Sequence, residues 1–204
     1  MIKTIIFDLG NVIVNVGRTE QYRRFQSEGN KDIPCIKKYC HDNSVLMQSF
    51  QKGEIKPKEF YKRFSKGLNL KMNFNDFKRA YCDIFTLNKN VANLIKKLKK
   101  KYKLILLSNT DIMHFEYIKN KYKIIGIFDE YILSYEIGCR KPDRAIYQIA
   151  LKKAKALPFN CVYIDDIEKF VKAARAIGIM AFQYKGFEKL IRDLKSVNVA
   201  IDNK

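Results

Sequence analysis

The chain opens on a short apolar, β-branched run, Ile2–Phe7 (IKTIIF), that stops at Asp8. A run of that length without polar alternation predicts a strand buried on both faces. Leu9, Gly10 and Asn11 then read as a turn. From about Arg18 to Phe85 the spacing of apolar residues becomes helical: Tyr22 and Phe25, Phe60 and Phe64, then Phe74, Phe77 and Tyr81. Gly17, Gly29, Gly53, Gly67, Pro34 and Pro57 punctuate this stretch, and Pro57 suits the first turn of a helix running to about Lys66. No strand is convincing there, so four or five helices are expected. After Leu87–Asn88 the pattern alternates. Helices are predicted over Val91–Lys101, Asp111–Tyr122, Asp143–Lys155, Glu168–Ala176 and Phe187–Leu194, with strands at Leu104–Leu107, Tyr131–Ser134, Cys161–Ile164 and Ile179–Phe182. Strands alternating with helices of this length imply βαβ units. The expected fold is α/β, a Rossmann-like parallel sheet made by residues 1–16 and 86–204, with an all-helical insert over residues 17–85.

Composition narrows the class. The chain has 204 residues, 47% of them hydrophobic and 30% charged, which is globular rather than disordered composition. No apolar run approaches the roughly 20 residues of a membrane span. The first residues enter a strand and meet Asp8, with no signal-peptide core, so a cytoplasmic location is expected. A net charge of +19 invites a nucleic-acid reading. However, 31 Lys stand against only 9 Arg, and the lysines are scattered apart from Lys96–Lys103. Arginine is the better reader of phosphates and base edges, so a solvated, compositionally biased surface is the preferred account. Cys35, Cys40, Cys82, Cys139 and Cys161 show no CxxC pairing, and with only His41 and His114 a zinc site lacks its spacing.

In parallel α/β sheets, ligands bind beyond the carboxyl ends of the strands. That edge collects Asp8, Gly10 and Asn11 after the first strand, and Ser108, Asn109 and Thr110 after the second. Gly138, Arg140 and Lys141 follow the third, and Asp165 and Asp166 the fourth. Clustered carboxylates repel unless a cation sits among them, and Mg²⁺ takes oxygen ligands together with substrate phosphate. The amides opening the helix at Asp111 suit a phosphate, and Lys141 adds a point charge. A carboxylate held in line with phosphorus can act as a nucleophile. Singly, each element has a plainer role: a turn residue, a helix cap (Ser108 or Thr110), or one more lysine in a lysine-rich chain. Together, at successive strand ends, they form a chemical set.

The motifs FDLGNV (Phe7–Val12), LLSNT (Leu106–Thr110), GCRKPD (Gly138–Asp143) and YIDD (Tyr163–Asp166) resemble motifs I to IV of the haloacid dehalogenase superfamily, in order. The helical insert after motif I is similar to that superfamily's C1 cap, including a G-E-I turn at Gly53–Ile55. The motif forms are most like small bacterial phosphatases of the alpha-glucose-1-phosphate phosphatase type and the phosphatase domain fused to some epoxide hydrolases. The resemblance implies a hydrolase acting on a small phosphomonoester, a sugar phosphate by this likeness, through an aspartyl phosphate. Asp8 would be nucleophile and Mg²⁺ ligand, Gly10 would offer its backbone carbonyl to the metal, and Asp166 would ligate it, with Asp165 as a further ligand or a partner to one. Ser108 and Asn109 would bind the phosphate and Lys141 would neutralise it. The cap would close over the site and read the leaving group.

One position departs from the family pattern. Most phosphatases of the superfamily carry a second Asp two residues after the nucleophile as general acid, and here that place is Gly10. A leaving group with an acidic hydroxyl, a cap donor such as His41, or a weak enzyme would each account for it. The competing functions are a dehalogenase of the same fold, a phosphotransferase, and a basic binding module without turnover. No nucleic acid or membrane partner is expected, and the sequence leaves oligomeric state, substrate and proton donor open.

Overall fold

The computed structural model describes residues 1–201. Strand β1 (Thr4–Phe7) is followed by the short β2 (Val14–Val16). Five helices come next: α1 (Thr19–Glu28), α2 (Ile33–Asp42), α3 (Ser44–Gln51), α4 (Pro57–Leu68) and α5 (Phe74–Cys82). The chain returns through β3 (Phe85–Leu87), α6 (Lys89–Leu98), β4 (Lys103–Ser108) and α7 (Ile112–Lys121). It ends with β5 (Glu130–Leu133), α8 (Ser134–Ile137), α9 (Arg144–Ala154), β6 (Cys161–Asp165), α10 (Glu168–Arg175), β7 (Met180–Gln183) and α11 (Phe187–Ser196). Among the described residues no helix is long and apolar enough to cross a membrane.

The sheet is parallel, in the order β5-β4-β1-β6-β7. Its central strands are apolar on both faces because both faces are covered. Ile5, Phe7, Leu104, Leu106, Val162 and Ile164 pack into one buried cluster. Their alternates Ile6, Ile105, Leu107, Cys161 and Tyr163 pack into another. Side chains of successive strand residues point to opposite faces, so an unbroken apolar run is the signature of this environment. Register fixes what lies at the far edge. Phe7 pairs with Leu106 on one side and Ile164 on the other, and the amide of Asp8 donates to the carbonyl of Ile164 at 2.9 Å. Asp8 and Asp165 therefore leave the sheet side by side.

Helices α1 to α5 enclose an apolar cluster of their own, built on Phe25, Phe50, Phe60, Phe64, Phe77 and Tyr81. The rings interlock: Phe50 stacks on Phe60 at 4.2 Å between centroids, and Phe77 on Tyr81 at 5.5 Å. Pro57 stands at the first position of α4, as its fixed φ favours. The turn Gly53–Ile55 touches the sheet-bearing part. Gly53 has φ +72°, and a Cβ there would meet the carbonyl oxygen of Tyr135 at 2.2 Å. Only glycine permits both that backbone conformation and that approach.

The ribbon of β2 and β3 corrects the sequence reading. These strands pair antiparallel, Val14 with Leu87 and Val16 with Phe85, where the chain leaves for the helices and returns. Each has three residues, too few to show alternation, and their partners are separated by the whole helical segment.

Candidate active site

Four charged side chains meet at the carboxyl edge of β1 and β6. Lys141 Nζ lies 2.6 Å from Asp8 Oδ1 and 2.6 Å from Asp165 Oδ2, and donates to the Leu107 carbonyl at 3.3 Å. Lys141 and Asp165 are buried, and Asp8 nearly so. Asp165 is further committed: Tyr163 Oη donates to its Oδ2, and the amide of Ile167 donates to its Oδ1 at 2.8 Å. Asp166 is half-buried and accepts from Asn11 Nδ2 at 3.2 Å. Oxygens of Asp8, Asp165 and Asp166 lie within 4.8 Å of one another.

The electrostatics follow from burial. Removal from water pushes the Asp8 carboxyl up to about 7, and the charge of Asp165 adds to the rise. Lys141 pulls the other way without cancelling it. Burial alone would neutralise Lys141, but the two carboxylates raise its pKa instead, so it stays charged. Burial also raises Asp166, against the hydrogen bond from Asn11. One lysine therefore serves three crowded carboxylates, and the site is short of positive charge. The donor set is all oxygen, which fits a hard divalent cation such as Mg²⁺. Asp166 is the acid freest to ligate it, while Asp165 spends its oxygens on Lys141, Tyr163 and Ile167.

Two expected phosphate ligands behave differently. Ser108, at the end of β4, is buried and lines the adjoining cavity. Asn109 lines it too, but its side-chain amide is occupied. Oδ1 accepts from the Lys141 amide at 2.8 Å, and Nδ2 donates to the Lys141 carbonyl at 2.9 Å. Asn109 thereby clamps the loop that aims Lys141, a role that no local spacing signals because the residues are far apart in sequence. Helix α7 is capped by neither Ser108 nor Thr110. Asp111 does so, accepting from the His114 amide at 3.0 Å. In the turn after Asp8 the left-handed residue is Asn11, with φ 54°, not Gly10, and a Cβ on Gly10 would meet only Val16 Cγ2 at 3.8 Å.

A family model for haloacid dehalogenase-like hydrolases matches residues 2–178. The chain belongs to this family. It is 26% identical over 190 residues to the D-ribitol-5-phosphate phosphatase of Bacteroides thetaiotaomicron, covering 90% of this chain and 92% of that one. A HAD family enzyme of the same organism, solved in complex with magnesium and inorganic phosphate, superposes with a TM-score of 0.82 at 25% identity, over 94% of this chain and all of that one. The L-2-haloacid dehalogenase of Xanthobacter autotrophicus shares the fold, with a TM-score of 0.67 at 16% identity over 98% of this chain and 85% of that one.

In this HAD-like hydrolase a cavity of about 520 Å³ lies between the helical segment and the sheet edge. Leu9, Gly10 and Ser108 line it from the sheet side, and Gln21, His41 and Gln48 from the helices. The segments are tied together nearby. Tyr81 Oη donates to the buried carboxylate of Asp111 at 3.0 Å, and Ser134 Oγ lies 2.6 Å from the Gln51 carbonyl.

The charge shortage gives a stability prediction. Lys141→Met, measured by urea unfolding in EDTA at pH 8, is expected to cost about 3–5 kcal/mol, because it strands buried carboxylates. Asp8→Asn is expected to be neutral or stabilising under the same conditions. Its folded pKa lies above its unfolded value of 3.8, so its stabilising contribution is full below about pH 4 and lost as pH rises through about 7. The double variant should recover part of the Lys141→Met loss. Additive losses would show that Asp8 and Lys141 are not coupled.

Proposed function

We propose that the protein is a Mg²⁺-dependent phosphatase that hydrolyses a small phosphomonoester, a sugar phosphate or close relative, through an aspartyl phosphate on Asp8. The observation that carries the reading is the strand-end placement of Asp8, held by Lys141 within reach of two further carboxylates. The likeness to a polyol-phosphate phosphatase and to an enzyme solved with magnesium and phosphate supports it. On this reading residues 17–85 are a cap domain and residues 1–16 and 86–204 the catalytic core. Unpaired cysteines accord with action in the cytoplasm, where thiols stay reduced, and we assign no nucleic-acid or membrane partner.

Asp8, the Gly10 carbonyl and Asp166 would hold Mg²⁺, which supplies positive charge against the phosphoryl oxygens. Lys141 fixes one oxygen of Asp8 and shares its charge with the incoming phosphate. An oxygen of Asp8 attacks phosphorus, the bond from phosphorus to the ester oxygen breaks, and the leaving oxygen takes up a proton. Water then attacks phosphorus and releases phosphate, regenerating the Asp8 carboxylate. The Ser108 hydroxyl offers a donor to the phosphoryl oxygens. The cap excludes bulk water during the transfer.

The lack of a carboxylate at Gly10 also suits a dehalogenase, in which an aspartate displaces halide without metal. The cluster of Asp8, Asp165 and Asp166 disfavours that reading, because a site that releases an anion gains nothing from adjacent negative charge.

The metal is tested with p-nitrophenyl phosphate. Activity should vanish in EDTA and return with Mg²⁺, and Asp166→Ala should raise the Mg²⁺ concentration for half activity by roughly 10–100-fold. Turnover indifferent to chelator, with halide release from a haloacid, would establish the dehalogenase instead.

The glycine gives a second test. Without an acid at this place, wild type should favour aryl phosphates and sugar 1-phosphates over primary alkyl phosphates in kcat/KM. Gly10→Asp meets no clash at Cβ and no left-handed strain, so it should improve the alkyl esters by up to roughly 10²–10⁴-fold. A wild type already indifferent to leaving-group acidity would place the proton donor elsewhere, with His41 the first candidate to replace.

A further inference from the structure

The wall of the cavity is electrically one-sided. Among the described residues, Arg18, Lys37 and Arg140 line it, and no Asp or Glu does. Among the described residues none of these three forms an ion pair, although the charge of Asp143 reaches Arg140. Lys37 rests over the Tyr22 ring, with Nζ 5.8 Å from the centroid. Elsewhere, neighbouring cations are answered: Arg24 meets Glu20 and Asp83, Lys38 meets Asp42, Lys52 meets Glu54 and Arg63 meets Glu59.

Arg140 is the informative member. Its guanidinium is half-buried, and its Nε is enclosed without any hydrogen-bond acceptor. A buried donor left unpaired is costly and rare. A guanidinium is also the group that best clasps a planar carboxylate or a phosphate through two parallel hydrogen bonds. On the phosphatase reading Lys141 and Mg²⁺ would face the phosphoryl group that reacts. Arg18, Lys37 and Arg140 line the adjoining cavity, and a neutral leaving group would answer none of them. The neutral donors and acceptors between them (Gln21, Ser44, Gln48 and Gln51) suit hydroxyl groups.

We infer that the substrate carries a second anionic group, a carboxylate or a second phosphate, besides the scissile phosphoryl, and that Arg140 receives it, with Arg18 and Lys37 lining the same cavity. The substrate class is then a polyhydroxylated phosphomonoester that is also an acid or a bisphosphate. This rests on the phosphatase reading above and narrows it. Arg140 acts here as a specificity-determining residue, separate from the chemistry at Asp8.

Matched substrates test the inference. One pair is an aldonic acid phosphate and the corresponding alditol phosphate, esterified at the same terminal carbon. The other is a hexose bisphosphate and the corresponding monophosphate. With Mg²⁺ present, kcat/KM should favour the more anionic member of at least one pair by roughly 10–100-fold, the worth of a charge-assisted hydrogen bond. Which pair responds tells carboxylate from phosphate. Arg140→Gln should shrink that ratio to within about threefold, chiefly through KM, and Arg18→Gln should shrink it in part. Added salt should narrow the ratio as well. Ratios near one in both pairs, or an Arg140→Gln variant that slows both members equally, would overturn the inference and assign Arg140 to the reacting phosphoryl group. No hydrolysis of any member, nor of p-nitrophenyl phosphate, would instead overturn the phosphatase reading itself.

Discussion

Three charged groups removed from water at one strand edge are the constraint around which the molecule is arranged. Asp8 and Asp165 are set side by side by the register of β1 and β6, and Lys141 reaches both at 2.6 Å. A lysine in that position remains charged only because two carboxylates face it, and burial, with Asp165 alongside, raises the Asp8 carboxyl to about 7 despite Lys141. The neighbouring structure keeps this unstable arrangement in place. Asn109 grips the backbone of Lys141 through both ends of its amide, and Tyr163 and the Ile167 amide saturate Asp165. The result is a preformed demand for positive charge beside Asp8.

The fold makes such a site by placing polar residues only where the apolar strands stop. Within the sheet, Phe7, Leu106 and Ile164 are fully buried between helices. One residue beyond Phe7 and Ile164, aspartates appear. The helical segment returns to this edge through Tyr81 on Asp111 and through Gly53 against Tyr135, so the cavity forms between two separately packed apolar clusters. Chemistry and recognition are thereby divided. On the proposed function the sheet edge would supply the reacting groups, and the facing helices most of the surface a leaving group would touch.

Much of this was readable from the chain. The unbroken apolar runs at Ile2–Phe7, Leu104–Leu107 and Cys161–Ile164 announced doubly covered strands, and each ended on the residues that the structure brings together. Ring spacing in Phe60, Phe64, Phe77 and Tyr81 announced helices. What escaped were features set by contacts distant in sequence. The β2–β3 ribbon is two triplets that mean nothing until they meet. The grip of Asn109 on the Lys141 backbone was hidden because that backbone lies in another loop. Asp111 was read as the start of a helix, with its contact to Tyr81 invisible. Arg140 stood at the sheet edge without a role, since an unpaired buried Nε is a property of packing and not of composition.

The central claim is that Asp8 becomes covalently phosphorylated. The direct measurement is a single turnover of an aryl phosphate with Mg²⁺, quenched in acid within the first turnover and followed by peptide mass analysis. The account predicts one added phosphoryl group on the peptide that carries Asp8, at Asp8 itself, and none in Asp8→Asn. Full turnover without any phosphoryl group on Asp8, or undiminished turnover by Asp8→Asn, would contradict it.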